Sequence, residues 1–196
     1  MKSIEQTYEK YRWFVTSTNK TVVGGKSASQ NDELLKKLKN QTTDVIIMHT
    51  SSPGSPFSAI LSSIDKVTKD DLEQAAAFTA CFSREWRDKK KKAQVDIFTL
   101  SQISKPSKLK TGTWNVRGPI DRKSVELKLV LAKQKSKLRA VPESSVKSSQ
   151  TLLKIKPGKT DKSLAATKIS VLLKESFSQN EILSALPPGA VAITKK

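Results

Sequence analysis

The segment that most constrains the fold of this 196-residue chain runs from residue 11 to residue 32. Two runs of β-branched and aromatic residues flank a polar turn in it, a pattern that predicts a β-hairpin over residues 12–23. Gly24-Gly25 then offers a tight turn, and Ser29 with Asp32 three positions later is typical of a helix start. A hairpin followed at once by a helix favours an architecture that combines antiparallel strands with helices.

Apolar runs elsewhere predict further strands and helices. The clearest helix begins at Thr68, where Asp71 completes a capping pattern, and its inner face carries Leu72, Ala75 and Phe82. Short apolar or alternating runs predict strands at 45–48, 57–61, 95–100, 114–116, 125–131 and 137–141. The predicted fold class is therefore α+β: a mainly antiparallel sheet packed by two helices, with a small helical appendage at the C-terminus.

The composition of the chain changes after Pro142, where a serine-rich stretch nearly devoid of apolar side chains is typical of a linker. Beyond it, apolar spacing predicts a helix over residues 161–175, and Ser178 with Glu181 predicts a capping box for a second, shorter one. We therefore predict three parts: a binding domain over 1–142, a linker over 143–150 and a small helical region over 151–196.

The charge of the chain indicates a polyanionic partner. Lys and Arg number 36 against 18 Asp and Glu, which gives a net charge of +18 and a pI near 10.0. Lysines that pair with phosphates release counterions, so binding of a nucleic acid would weaken steeply with salt. No apolar segment is typical of a signal peptide or long enough to cross a bilayer, so we expect a soluble cytoplasmic protein with no membrane partner.

Enzymatic signatures are scarce. Cys81, the single cysteine, is expected in the core, and with His49 as the single histidine the chain lacks the residues of a standard Cys/His metal cluster. Pro157-Gly158-Lys159-Thr160 resembles the end of a phosphate-binding loop, but Leu153 stands where its first glycine belongs. The acids Asp70-Asp71 lie in a helix first turn, where capping explains them. We therefore predict no enzyme, no metal and no cofactor.

The first candidate site lies on the hairpin and at the start of the following helix. Backbone N–H groups at a helix start can receive a phosphate, and an aromatic ring or a guanidinium can stack on a base. For Trp13 by itself the core interpretation is favoured, whereas Lys26 is expected to face solvent or a phosphate. The candidate residues of this site are Arg12, Trp13, Lys26, Gln30 and Asn31.

Two further candidate sites follow along the chain. His49 ends an apolar strand before the Ser/Pro/Gly loop that contains Ser55, and it suits ligand contact and loop shaping equally well. Bases are interleaved with an aromatic near two glycines, which suits nucleic acid, although a solvated loop before a buried Trp114 is the alternative. The residues of this third site are Lys105, Lys108, Lys110, Trp114 and Arg117. The run Lys89–Lys92 is expected to be a solvated loop.

The order of these motifs resembles the NFACT-R domain, the RNA-binding module of the ribosome quality-control NFACT proteins. The resemblance covers roughly residues 8–120, and its five motifs are Tyr11–Phe14, Gly24–Asp32, Val45–His49, Ala75–Trp86 and Gly112–Gly118. The Pro-Gly-Ser-Pro-Phe loop and the segment Leu138–Pro142 resemble the stand-alone, archaeal-type members. Arg84 lies in the fourth motif, and we include it among the candidate nucleic-acid-binding residues.

The resemblance implies binding of structured RNA, either tRNA or rRNA, with the large ribosomal subunit as a further partner. It implies a non-catalytic accessory of translation or of ribosome-associated quality control. Three other functions stay open at this point. They are general binding of DNA or other polyanions, a nuclease or RNA-modifying activity through His49, and protein interaction through the C-terminal helices.

Overall fold

The predicted hairpin forms one edge of a six-stranded sheet. The computed structural model describes residues 3–41, 43–106 and 108–194. In chain order the strands are β1 (Arg12–Val15), β2 (Thr21–Gly24), β3 (Ile46–Thr50), β4 (Ser58–Ile60), β5 (Lys92–Thr99), β6 (Ile103–Ser104), β7 (Asn115–Val116), β8 (Asp121–Glu126), β9 (Leu129–Gln134), β10 (Lys137–Val141), β11 (Thr151–Thr160) and β12 (Val191–Thr194).

The first sheet has the strand order β1-β2-β4-β3-β5-β8, and all of its pairings are antiparallel. β3 therefore lies inside the sheet, as its continuous apolar run predicts, and pairs His49 with Asp96 of β5. A second sheet has the order β10-β9-β11-β12, and β6 pairs with β7 in a two-stranded ribbon. The predicted α+β class with mainly antiparallel sheet is confirmed.

The helices are α1 (Ile4–Thr7), α2 (Ala28–Lys39), α3 (Lys69–Cys81), α4 (Arg84–Arg87), α5 (Lys162–Leu172) and α6 (Gln179–Ala185). Helices α2 and α3 cover the two faces of the first sheet, while α5 and α6 pack on strands of the second. Successive strand side chains point to opposite faces, so Trp13 joins the core cluster that contains the leucines of α2, while Phe14 joins the one that contains Phe78 of α3. In the part of the chain that the structure describes, no helix is both long and apolar enough to cross a membrane.

Two strands lie in the region predicted to be only helical. β11 alternates lysine with apolar residues from Leu153 to Lys156, a pattern that sequence reasoning did not use, and it pairs with β9. Strands on both sides of residues 143–150 therefore share a sheet, and one core cluster contains both Phe14 and Val191. The division of the chain at 143–150 stays a prediction. The two predicted C-terminal helices are confirmed as α5 and α6.

Two local predictions are wrong. The single strand expected over residues 125–131 is β8 and β9, which belong to different sheets because the chain turns at Leu127, whose N–H donates to the Lys91 carbonyl at 2.9 Å. Helix α2 is capped by Ser27 and not by Ser29. Ser27 has an extended backbone, so its hydroxyl reaches forward and accepts from the Gln30 N–H at 3.2 Å.

Candidate nucleic-acid interface

A surface cleft of about 690 Å³, here called the first cleft, lies where the hairpin, the start of α2, the end of β3 and α4 meet. The hairpin and the end of β3 meet at one end of the first sheet because its strands are antiparallel, although these segments are distant in sequence. The first cleft gathers seven of the predicted site residues, namely Arg12, Lys26, Asn31, His49, Ser55, Arg84 and Trp114.

The charges of the first cleft are unbalanced. Arg12, Lys26, Arg84 and Arg87 line it, against one carboxylate, that of Asp96. Asp96 is already occupied, since it accepts hydrogen bonds from the Ser51 hydroxyl and from the Arg122 guanidinium. Among the described residues, none of the four lining cations has an ion-pair partner. The first cleft therefore carries an excess of positive charge that no described carboxylate neutralises.

The Arg12 side chain is partly removed from water. Its guanidinium lies over the Phe82 ring, 5.0 Å from the ring centre, and burial lowers the pKa of Arg12. Partial desolvation, followed by the charges of Arg12 and Arg139, lowers the pKa of Lys26. An arginine stays charged at neutral pH, and a desolvated charge without a partner is costly. A bound phosphate would remove this cost.

His49 adds a neutral aromatic surface to the cleft. Its Nδ1–H donates to the Thr50 carbonyl at 2.7 Å, so the lone pair of the neutral ring is on Nε2. The ring packs on Phe57, with 4.6 Å between the ring centres. Burial lowers the pKa of His49 in spite of the opposing effects of the Thr50 carbonyl and the Asp96 charge. A neutral histidine can accept a hydrogen bond from a ligand or stack on one.

The side chains of three predicted residues form hydrogen bonds with the protein backbone and so fix the shape of the cleft. The Asn31 side-chain oxygen accepts from the Phe57 N–H at 3.1 Å, and a methyl group on Gly25 would lie 2.1 Å from that oxygen. The Gln30 side-chain oxygen accepts from the Lys26 N–H at 3.0 Å. The Ser55 hydroxyl accepts from the Thr50 N–H at 2.9 Å and donates to a backbone carbonyl. These contacts hold the start of α2 against the loop after β3.

The third predicted site is organised around Asp32. The Asp32 carboxylate accepts from Trp114 Nε1 at 2.8 Å and from the Gly112 N–H at 3.0 Å, and it pairs with Lys105. Trp114 is only 8% exposed, as the alternative interpretation of this segment expects, while its edge lines the first cleft. Gly112 packs tightly on α2, where a methyl group would lie 2.6 Å from Ala28 Cβ.

The remaining predicted residues lie outside the first cleft. Trp13 is 1% exposed, which agrees with the core interpretation and leaves no free ring face for a base. Lys110 is exposed and its carbonyl accepts from Lys105. Arg117 is exposed and its N–H donates to the Gln102 carbonyl at 3.0 Å. Binding roles for these residues stay predictions.

Arg87 and Pro188 are among the residues of the first cleft that sequence reasoning did not assign to it. Arg87 follows Arg84 by three residues, a helical spacing that places both on one face of α4 and that the sequence analysis did not use. Pro188 comes from the C-terminal region, where the neighbouring Ala190 carbonyl accepts from Trp86 Nε1 at 3.1 Å. No local pattern predicts such a contact between distant segments.

The described residues contain no cluster of three or more His, Cys, Asp or Glu side chains that could hold a metal. Cys81 is fully buried, as predicted, and burial raises the pKa of its thiol. His49 lies beside Phe57 in the first cleft, whose lining residues carry an excess of positive charge.

Comparison with protein families agrees with the motif order. The family model described as the NFACT protein RNA-binding domain matches residues 10–118. This range contains every residue that the sequence analysis assigned to the three candidate sites, as well as Arg84.

The proteins similar to this chain include a curated archaeal relative and a solved bacterial structure. An archaeal Rqc2 homologue, aRqcH of Methanocaldococcus jannaschii, is 28% identical over 96% of this chain, a share that extends past residue 142. This chain spans 29% of that relative's length. A solved structure, the C-terminal part of the fibronectin/fibrinogen-binding protein from Streptococcus suis, covers 59% of this chain and 44% of its own, at 21% identity and a TM-score of 0.50. At this identity, the likeness to the streptococcal structure shows a shared fold alone.

Proposed function

The chain belongs to the NFACT protein RNA-binding domain family, and from that premise we propose that it binds structured RNA through the first cleft. The ligand is tRNA or rRNA, and the role is that of a non-catalytic accessory of translation or ribosome-associated quality control in the cytoplasm. The large ribosomal subunit is the proposed site of action. Similarity to an archaeal Rqc2 homologue over almost the whole chain supports this role.

One observation carries the proposal. Four cations without ion-pair partners among the described residues surround a cleft that also offers the His49–Phe57 aromatic pair. Phosphates would pair with Arg12, Lys26, Arg84 and Arg87, and an unstacked base would contact the aromatic rings. Single-stranded loops of folded RNA present both groups together, which favours structured RNA over duplex DNA.

The test is the binding of labelled tRNA and of duplex DNA of matched length across a salt series, measured by fluorescence anisotropy. We expect tighter binding of tRNA, and we expect K26Q and R84Q each to reduce the slope of log affinity against log salt by about 0.7–0.9, the effect of one lost phosphate contact. Both side chains reach solvent, so these variants should fold normally. K66Q, an exposed lysine that does not line the cleft, is the matched control.

Two results would contradict the proposal. Equal affinity for tRNA and DNA would indicate general polyanion binding, and equal effects of K66Q and K26Q would mean that only the net charge matters. A separate incubation of RNA with the protein and a divalent metal tests the non-catalytic role. Intact RNA is expected, whereas cleavage that is lost in H49Q would make the protein an enzyme.

A further inference from the structure

A second cleft, of about 480 Å³, adjoins the first. It is lined by residues of β1, β10 and α6, and Arg12, Lys26 and Phe82 line both clefts. The two clefts are therefore continuous along the surface. A ligand that leaves the first cleft past Arg12 enters the second one directly.

Arg139 of β10 is the central cation of the second cleft. The centre of its guanidinium lies 4.3 Å from the centre of the Trp13 ring, a cation–π contact. Its Nη1 donates to the Leu138 carbonyl at 3.2 Å. Among the described residues, Arg139 forms no ion pair. Arg139 therefore brings to the second cleft a positive charge that an anionic ligand could pair with.

The carboxylates of the second cleft have other partners. Glu9 pairs with Lys137, and the Glu181 carboxylate accepts from the Leu138 N–H at 2.8 Å. Both acids lie where they offset part of the positive charge, and neither makes a direct salt bridge to Arg139. The site keeps an excess of cations after these pairs are formed.

Like charges meet in the second cleft. Arg12, Lys26 and Arg139 all line it. Burial, followed by the charges of Arg12 and Arg139, lowers the pKa of Lys26, so these cations repel one another and a bound anion would offset the repulsion. Residues of α6 form one wall of the second cleft, and they bring the C-terminal region, which sequence reasoning left without a role, next to the hairpin.

We propose that the second cleft binds a backbone phosphate of the RNA strand that leaves the first cleft, with Arg12 and Arg139 as its ligands. The inference rests on the proposed function and adds a site to it. It gives the C-terminal region, whose helix α6 forms one wall of the second cleft, a part in RNA binding.

The test compares two single-stranded RNAs, one of about four nucleotides and one of about twelve, within the range of site sizes of such proteins. We expect R139Q to weaken binding of the longer RNA about three- to ten-fold and to lower its salt slope by about 0.7. S184E, which adds a carboxylate at an exposed position of the second cleft, should weaken the same binding. Binding of the shorter RNA, which the first cleft accommodates alone, should be unchanged. K168Q, at an exposed lysine of α5 that lines neither cleft, is the control.

Each outcome has a defined meaning. S184E, which changes an exposed side chain, keeps the test valid if R139Q disturbs the packing on Trp13. Unchanged binding of the longer RNA by S184E and R139Q overturns the inference and leaves the first cleft standing, whereas failure of wild type to bind tRNA and both single strands overturns both proposals. A titration with inorganic phosphate is the last arm: phosphate binding that depends on Arg139 without any dependence on RNA length would assign the site to a free phosphate.

Discussion

A single carboxylate, that of Asp32, holds the loop that closes one side of the first cleft. Burial by itself would raise the pKa of Asp32, but hydrogen bonds from Lys105, Trp114 Nε1 and the Gly112 N–H outweigh it, and the pKa lies below its ordinary value. Since the folded state favours the ionised form, Asp32 stabilises the fold above the pKa of an unfolded aspartate, about 4. That contribution is lost as the pH falls through the lower pKa of the folded state.

We predict that D32N lowers the free energy of unfolding by about 1–3 kcal/mol at neutral pH, because the charged partner of Lys105 is lost. The difference from wild type should shrink as the pH falls from about 4 through the lower pKa of the folded state, below which the wild-type carboxylate is neutral as well. Urea denaturation between neutral and acidic pH measures it, with the exposed Asp65 as the control position for D65N. A difference that is the same at all pH values would mean that the charge of Asp32 is irrelevant.

At the scale of elements, one glutamine joins the two main sheets. β1 is an edge strand, and edge strands expose unpaired backbone groups. The side chain of Gln134, on β9, satisfies both groups of Val15: its oxygen accepts from the Val15 N–H at 2.8 Å and its amide donates to the Val15 carbonyl at 2.8 Å. Glu181 of α6 has a similar role, since it accepts from the Leu138 N–H of β10 instead of completing the predicted capping box.

We predict that Q134L destabilises the protein by about 1–3 kcal/mol, because a side chain of similar volume leaves the Val15 backbone groups without partners. Q134E should cost less, since one carboxylate oxygen still accepts from the Val15 N–H. The measurement is chemical denaturation, and Q94L makes the same exchange at an exposed position of β5. If Q94L and Q134L lose equal stability, the bridge to Val15 contributes nothing.

At the scale of the whole molecule, the core crosses the predicted domain boundary. The buried cluster that contains Phe14 of the hairpin also contains Ile169 of α5 and Val191 of β12. Gln74 of α3 adds a polar link, because its side chain donates to the Ser144 carbonyl at 3.1 Å inside the predicted linker. Removing the residues after 150 would therefore expose apolar surface of the main sheet region.

We predict a single cooperative thermal transition for the chain, because a shared core couples the unfolding of its two sheets. Differential scanning calorimetry measures it, and the calorimetric and van't Hoff enthalpies should agree. Two separate transitions would favour the division at residues 143–150 that the composition predicts.

Local patterns predicted much of the fold and part of the site. The hairpin, the start of α3 at Thr68 and the central β3 follow from short-range periodicity and capping, which depend on neighbours in sequence. The cap of α2 and the break between β8 and β9 were missed, because several residues satisfy the same local rule and tertiary contacts choose among them. Arg12, Lys26 and Arg84, which the sequence analysis named, line the first cleft. Arg139 was not named, because its place beside Trp13 and Arg12 depends on how distant segments pack.

The sequence by itself determined the α+β class, the positive charge and the order of the family motifs, because these depend on composition and local spacing. Only the tertiary structure decided which cations are free to bind. Lys105 is neutralised by Asp32, 73 residues away, and the same carboxylate fixes Trp114. Arg12 and Lys26 have no such partner among the described residues. Ion pairing and burial depend on which distant side chains meet in the folded chain, and no local pattern specifies that.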